Sequence, residues 1–119
     1  MSEQAWLEKL FAAIDAKDTA AFAEFLTEDA VFRFGNGAPV RGRDAVREAV
    51  AQFFAGVQAL KHTVQESWAV PGAAVMHGQV TYTRHDGSRL TVPFANVLKL
   101  DGTRVREYLV FADASALWS

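Results

Sequence analysis

The chain has 119 residues, half of them hydrophobic, with 12 Lys and Arg against 14 Asp and Glu and a net charge of −2. That length forms a single domain, residues 1–119, with one core, and the near balance of charge argues against nucleic acid or an anionic membrane as partner. There is no cysteine, which excludes disulfides, thiolate catalysis and sulfur-based zinc sites.

The start, MSEQAWLEKLF, carries acid where a secretion signal carries positive charge. No window approaches the roughly 18 apolar residues of a membrane span, so a soluble cytoplasmic protein is expected. Trp6, Leu7, Leu10, Phe11 and Ile14 fall on one stripe and predict a helix from about Glu3 to Asp15. Asp18 and Thr19 offer an N-cap for a second helix carrying Phe22, Phe25 and Leu26. A short strand follows at Ala30 to Phe34, then the loop GNGAPVRGR. A third helix starts near Arg43 or Asp44, turns Val46, Val50, Phe53 and Phe54 inward, and weakens at Gly56.

From Lys61 the period changes to two. His62, Val64, Glu66, Trp68 and Val70 share one face of a strand over 62–70, and three more strands span 74–84, 89–100 and 104–112. His85-Asp86-Gly87-Ser88 and Asp101-Gly102 join them as hairpins. Helices first and a meander afterwards predict an α+β domain, with helices covering one face of a curved antiparallel sheet.

The strand AVMHGQVTYTR raises the central question. His77, Gln79, Thr81 and Thr83 share one face, and Met76, Gly78, Val80 and Tyr82 the other. A two-residue Asp86-Gly87 turn pairs His77 with Asn96, Gln79 with Phe94 and Thr81 with Val92. That sets the polar row beside an apolar one, as in the lining of a cavity. The next hairpin leaves two registers open, with either Glu107 or Tyr108 opposite Asn96.

The segments LFAAIDAKDTAAFAEFLTEDAVFRF, PVRGRDAVREAVAQFF and LKLDGTRVREYLVFAD resemble the nuclear transport factor 2-like superfamily, and within it the SnoaL-like proteins and ketosteroid isomerases. The resemblance implies a cone-shaped (cystatin-like) fold around a mostly apolar pocket. It implies that His77, Gln79, Thr81, Phe94, Asn96 and Tyr108 point inward. It also implies dimers through the outer face of the sheet, with Phe111, Leu109, Val80, Tyr82 and Trp68 as apolar surface. The isomerase tyrosine falls at Leu10, its proton-moving aspartate at Phe34 and its second oxyanion acid at Asn96, so ketosteroid chemistry is not expected.

His77, oriented by Asn96, is the first candidate for acid–base work, and Glu66 beside Trp68 and His62 is the second. A structural histidine and an edge glutamate are the alternatives. Helix capping or packing is the default explanation for His62. Asn96, Gln79, Tyr108, Thr81, Phe34 and Phe94 are the candidate ligand contacts. No metal is expected, because His85 lies eight residues beyond His77, roughly 26 Å along a strand. FGNGAPVRG lacks the ending of a phosphate loop, and no cofactor is expected. The expected function is binding of a small, largely apolar organic molecule, as an isomerase, cyclase or lyase working through an enol-like intermediate. A carrier or dimerisation module is the alternative.

Overall fold

The computed structural model describes residues 3–118, with backbone alone for Glu3 and Gln4. In chain order the elements are α1 (Glu3–Asp15), α2 (Thr19–Glu24), β1 (Leu26–Phe34), β2 (Val40–Arg41), α3 (Arg43–Ala55), β3 (Ala59–Val70), β4 (Ala73–Thr83), β5 (Arg89–Asp101) and β6 (Arg104–Phe111). A 3-10 turn, Ser115–Trp118, follows. The six strands form one sheet in the order β2-β1-β6-β5-β4-β3. Every pairing is antiparallel except β1 with β6. The expected α+β architecture is the one observed. Among the described residues no helix is long and apolar enough to cross a membrane.

The helices stand where apolar spacing puts them. Leu7, Leu10, Phe11 and Ile14 of α1 are buried, as are Val46, Val50 and Phe54 of α3. The Asp18 side chain caps α2, accepting from the Ala21 N–H at 3.0 Å. Lys17 takes a left-handed φ of 57° between α1 and α2. Its Nζ donates to the carbonyls of Phe54 (3.3 Å) and Val57 (2.9 Å), closing the open end of α3 against the α1–α2 corner.

Leu26 does not continue α2 as its spacing suggests. It opens β1 and pairs with Val105, while the Phe25 carbonyl accepts from the Val105 N–H at 2.7 Å. Here a sheet hydrogen bond outweighs local helical periodicity.

Two hairpins decide which side chains face the helices. At the first, the Arg84 N–H bonds the Ser88 carbonyl at 2.7 Å, so the loop is three residues, His85-Asp86-Gly87. A two-residue type I′ turn needs positive φ at both central positions, and of Asp86 and Gly87 only Gly87 has it, at 88°. Asp86 Oδ1 instead accepts from the Ser88 N–H and hydroxyl, fixing the wider loop. The extra residue moves β4 by one. Met76 pairs with Asn96, His77 with Ala95, Gln79 with Pro93 and Thr81 with Thr91. His77, Gln79 and Thr81 therefore lie on the outer face, against expectation. Met76, Gly78, Val80 and Tyr82 are buried beneath the helices, which removes Val80 and Tyr82 from the outer apolar surface.

At the second hairpin Asp101 pairs with Arg104, so the turn is Gly102-Thr103 rather than Asp101-Gly102. A bulge between Val105 and Glu107 then sets Tyr108 against Leu98 and Val110 against Asn96. Neither expected partner faces Asn96, yet Tyr108 is still turned inward.

A third irregularity lies in β3. Between Val64 and Glu66 the register shifts by one residue, so His62 and Val64 face inward while Glu66 and Trp68 face out. A strict alternation over 62–70 had put all four together.

Candidate functional site

A cavity of about 270 Å³ lies between the sheet and α3. Phe22, Phe32, Phe34, Phe53, Phe54 and Phe94 line it, with aliphatic side chains between them. Four polar side chains interrupt that wall: His62, Tyr82, Asn96 and Tyr108. The volume lies just below the roughly 300–1,000 Å³ of pockets for drug-sized ligands, which favours a compact one.

His62 is the least expected member. It begins the inward run of β3, and its ring lies between Phe11 (centroids 4.8 Å apart) and Phe94 (5.0 Å). Asp15, the last residue of α1, holds it twice. Oδ1 meets the ring Nδ1 at 2.7 Å, and Oδ2 accepts from the His62 backbone N–H at 3.0 Å. A carboxylate has no proton to give, so Nδ1 carries the hydrogen and the neutral ring keeps its lone pair on Nε2. Only 11% of the His62 side chain is exposed. The Asp15–His62 pair also borders a surface cleft between α1 and β3, lined by Glu8, Gln65 and Ser67 among others. Chain order hid this site, because its two members are 47 residues apart. Two signals bore on it: Asp15 directly follows the last apolar residue of the α1 stripe, and His62 shares the inward face with Val64.

Asn96 and Tyr108 form the second polar group. Both are at least 97% buried. Asn96 Nδ2 donates to the Tyr108 hydroxyl at 3.3 Å, and among the described residues Asn96 Oδ1 has no partner. The Tyr108 ring is packed between Phe22 and Phe32. Burial above all, then the Asp15 carboxylate and Tyr82, hold the Tyr108 phenol well above its ordinary range, so it remains a proton donor. Burial likewise pushes Tyr82 up to about 12.

These tyrosines make the fold sensitive to alkali. An unfolded tyrosine ionises near 10, so the stabilisation is complete below pH 10 and is lost as pH rises through 12. Two pH units correspond to roughly 3 kcal/mol for Tyr82. Urea titrations between pH 9 and 12 should show stability falling, with a shallower fall in Tyr82→Phe. Equal slopes in the two proteins would mean that Tyr82 ionises freely in the folded state.

The other expected site residues divide cleanly. Phe34, Phe94, Asn96 and Tyr108 line the cavity. His77, Glu66, Gln79 and Thr81 do not. His77 Nε2 meets Glu66 Oε1 at 3.1 Å on the outer face, and its ring stacks on Trp68 at 5.7 Å and 13°. Their side chains are 39% and 63% exposed. Thr81 shares a hydrogen bond with Thr91 there, and Gln79 is exposed. The expected His77–Asn96 contact is replaced by two pairs on opposite faces of the sheet.

Solved structures place this arrangement among known folds. A protein from Jannaschia sp. CCS1, provisionally described as a SnoaL-like polyketide cyclase, superposes with a TM-score of 0.82 at 19% identity, over 96% of this chain and 87% of that one. A protein of ketosteroid isomerase-like fold from Catenulispora acidiphila DSM 44928, solved with trimethylamine, gives 0.86 at 14% identity, covering 98% and 91%. An epoxide hydrolase from M. tuberculosis gives 0.80 at 14%, covering 96% and 84%. At these identities the likeness establishes the fold. No protein with a curated description matches in sequence. The SnoaL-like domain, however, matches residues 7–108, from the first core leucine of α1 to the buried tyrosine of β6. The chain therefore belongs to the SnoaL-like domain family and has a nuclear transport factor 2-like, ketosteroid isomerase-like fold.

Proposed function

We propose that the cavity binds a compact, largely apolar carbonyl compound and that His62 moves a proton at the carbon beside the carbonyl. The observation that carries this reading is the Asp15–His62 pair set into a wall that is otherwise almost wholly apolar. Asp15 holds the ring in the tautomer whose Nε2 accepts a proton. The electrons of the broken C–H bond pass to the carbonyl oxygen as an enolate. The Tyr108 hydroxyl, kept neutral by burial, is the donor available to that oxygen. Returning the proton to another carbon is isomerisation, attack of the enolate carbon on a second carbonyl is cyclisation, and loss of a β-substituent is elimination. The cleft beside Asp15 gives the proton an exit to solvent. On this reading the acid–base role expected of His77 and Glu66 passes to His62 and Asp15.

2-Tetralone, a bicyclic ketone with exchangeable α-hydrogens, serves as the probe. Its deuterium exchange in D₂O, followed by NMR, should run well above the buffer rate in the presence of the protein. Tyr108→Phe should slow the protein-dependent part by roughly 10²–10³-fold. Binding without exchange would make the protein a carrier, and absence of binding would remove the carbonyl reading.

The outer face of the sheet supports a second proposal, a homodimer with two-fold symmetry. Trp68, Val70 and Phe111 are each more than half exposed there, and apolar side chains grouped on one face mark contact surfaces more than scattered ones do. Light scattering should return twice the 13.0 kDa chain mass. Trp68→Lys should lower it toward one chain. A parent protein that is monomeric at micromolar concentration would refute the dimer.

A further inference from the structure

Asn96 sits in the cavity with a debt outstanding. It is 2% exposed, its Nδ2 is used on Tyr108, and its Oδ1 meets no donor among the described residues. A buried carbonyl oxygen without a donor is costly, and native proteins rarely leave one. Tyr108 is in the opposite condition. Its oxygen accepts from Asn96, and among the described residues no acceptor takes its own proton. A free acceptor and a free donor thus belong to two side chains already joined, Asn96 Nδ2 to the Tyr108 hydroxyl at 3.3 Å, in the wall of an apolar chamber.

One chemical group answers both at once. A hydroxyl accepts through its oxygen and donates through its proton, whereas a ketone or an ether only accepts. The geometry points to a ligand selected by a hydroxyl head group, phenolic or enolic, that accepts from Tyr108 and donates to Asn96 Oδ1. This deepens the reading above and rests on it, for the enol is the tautomer of the ketone that carries such a hydroxyl. The pair therefore favours the enol over the ketone, and the compact ring compounds it takes are hydroxylated ones. Turning the Asn96 amide over would exchange the demand: Tyr108 would donate to Oδ1, and the N–H groups would call for an acceptor-only ligand.

Binding of matched naphthalenes at neutral pH separates these cases. 2-Naphthol, 2-fluoronaphthalene and 2-methoxynaphthalene share the ring system and differ in the head group, and calorimetry or NMR titration gives each Kd. The naphthol should bind roughly 10- to 100-fold tighter than either of the others, since only it pairs the buried acceptor. Asn96→Leu, a substitution of similar size, should bring the naphthol to within a few-fold of the fluoro compound. Should that variant fail to fold, the comparison in the parent protein decides alone. Equal affinities, as expected if a water alone satisfies Asn96, would overturn the inference and leave the cavity reading standing. Preference for the ether would overturn it too, by assigning the other amide orientation. No binding of any of the three would remove both.

Discussion

Replacing His62 with Gln is expected to cut exchange at the α-carbon of 2-tetralone by about 10²–10⁴-fold, the usual contribution of one general base. Gln is close to His in length and keeps the backbone N–H that Asp15 Oδ2 accepts at 3.0 Å, so the fold and the cavity should survive. What it lacks is the basic nitrogen. Binding of 2-tetralone should therefore change little while turnover falls, which separates a chemical role from a packing one. Asp15→Asn tests the positioning of the ring. An Asn can donate its amide N–H to Nδ1, which drives the ring hydrogen to Nε2 and blocks the base without removing it. That variant should lose rate by the same mechanism and should shift the pH–rate profile, a change that loss of packing alone would not produce. Full activity in His62→Gln would exclude His62 as the base.

The fold was legible because its signals are local. An apolar stripe at helical spacing gave α1 and α3, and two Asp-Gly pairs marked hairpins that the structure contains. The faces of the strands were not legible to the same degree, because in a strand one extra residue reverses every side chain beyond it. The His85–Gly87 loop holds one more residue than a tight turn, and it sent His77, Gln79 and Thr81 outward. The bulge at Gln65 did the same to Glu66. Cavity residues on β5 and β6 fared better. Phe94 and Asn96 lie in a strand whose apolar row is plain, and Tyr108 pairs with Leu98, two residues from Asn96, which keeps the face it would have opposite Asn96. The Asp15–His62 pair lay beyond any local pattern, since it needs α1 and β3 brought together by the finished core.

Gly78→Ala is expected to be the most damaging single methyl in the sheet. A Cβ built on Gly78 would stand 1.9 Å from the Thr63 carbonyl oxygen and 3.0 Å from the Gln65 nitrogen. Those are backbone atoms, so no rotamer change can make room, and strand or bulge must move. Overpacking in a core commonly costs 1–3 kcal/mol, and a clash against backbone should reach about 3 kcal/mol or more. For a domain of this size that is a fall in Tm of roughly 10 °C or more, measurable by circular dichroism. The glycine follows from the bulge. Val64 pairs with Gly78 and Glu66 with His77, so the extra Gln65 arches over this position. Deleting Gln65 removes the arch while keeping the pairing from Glu66 onward. In the Gly78→Ala background that deletion should recover part of the lost stability, whereas in the parent it should recover none. Such coupling would tie the small residue on β4 to the slip on β3 that turns His62 inward and Glu66 outward. If Gly78→Ala melts with the parent protein, the bulge does not press on Gly78. The inward turn of His62 would then owe nothing to this close approach.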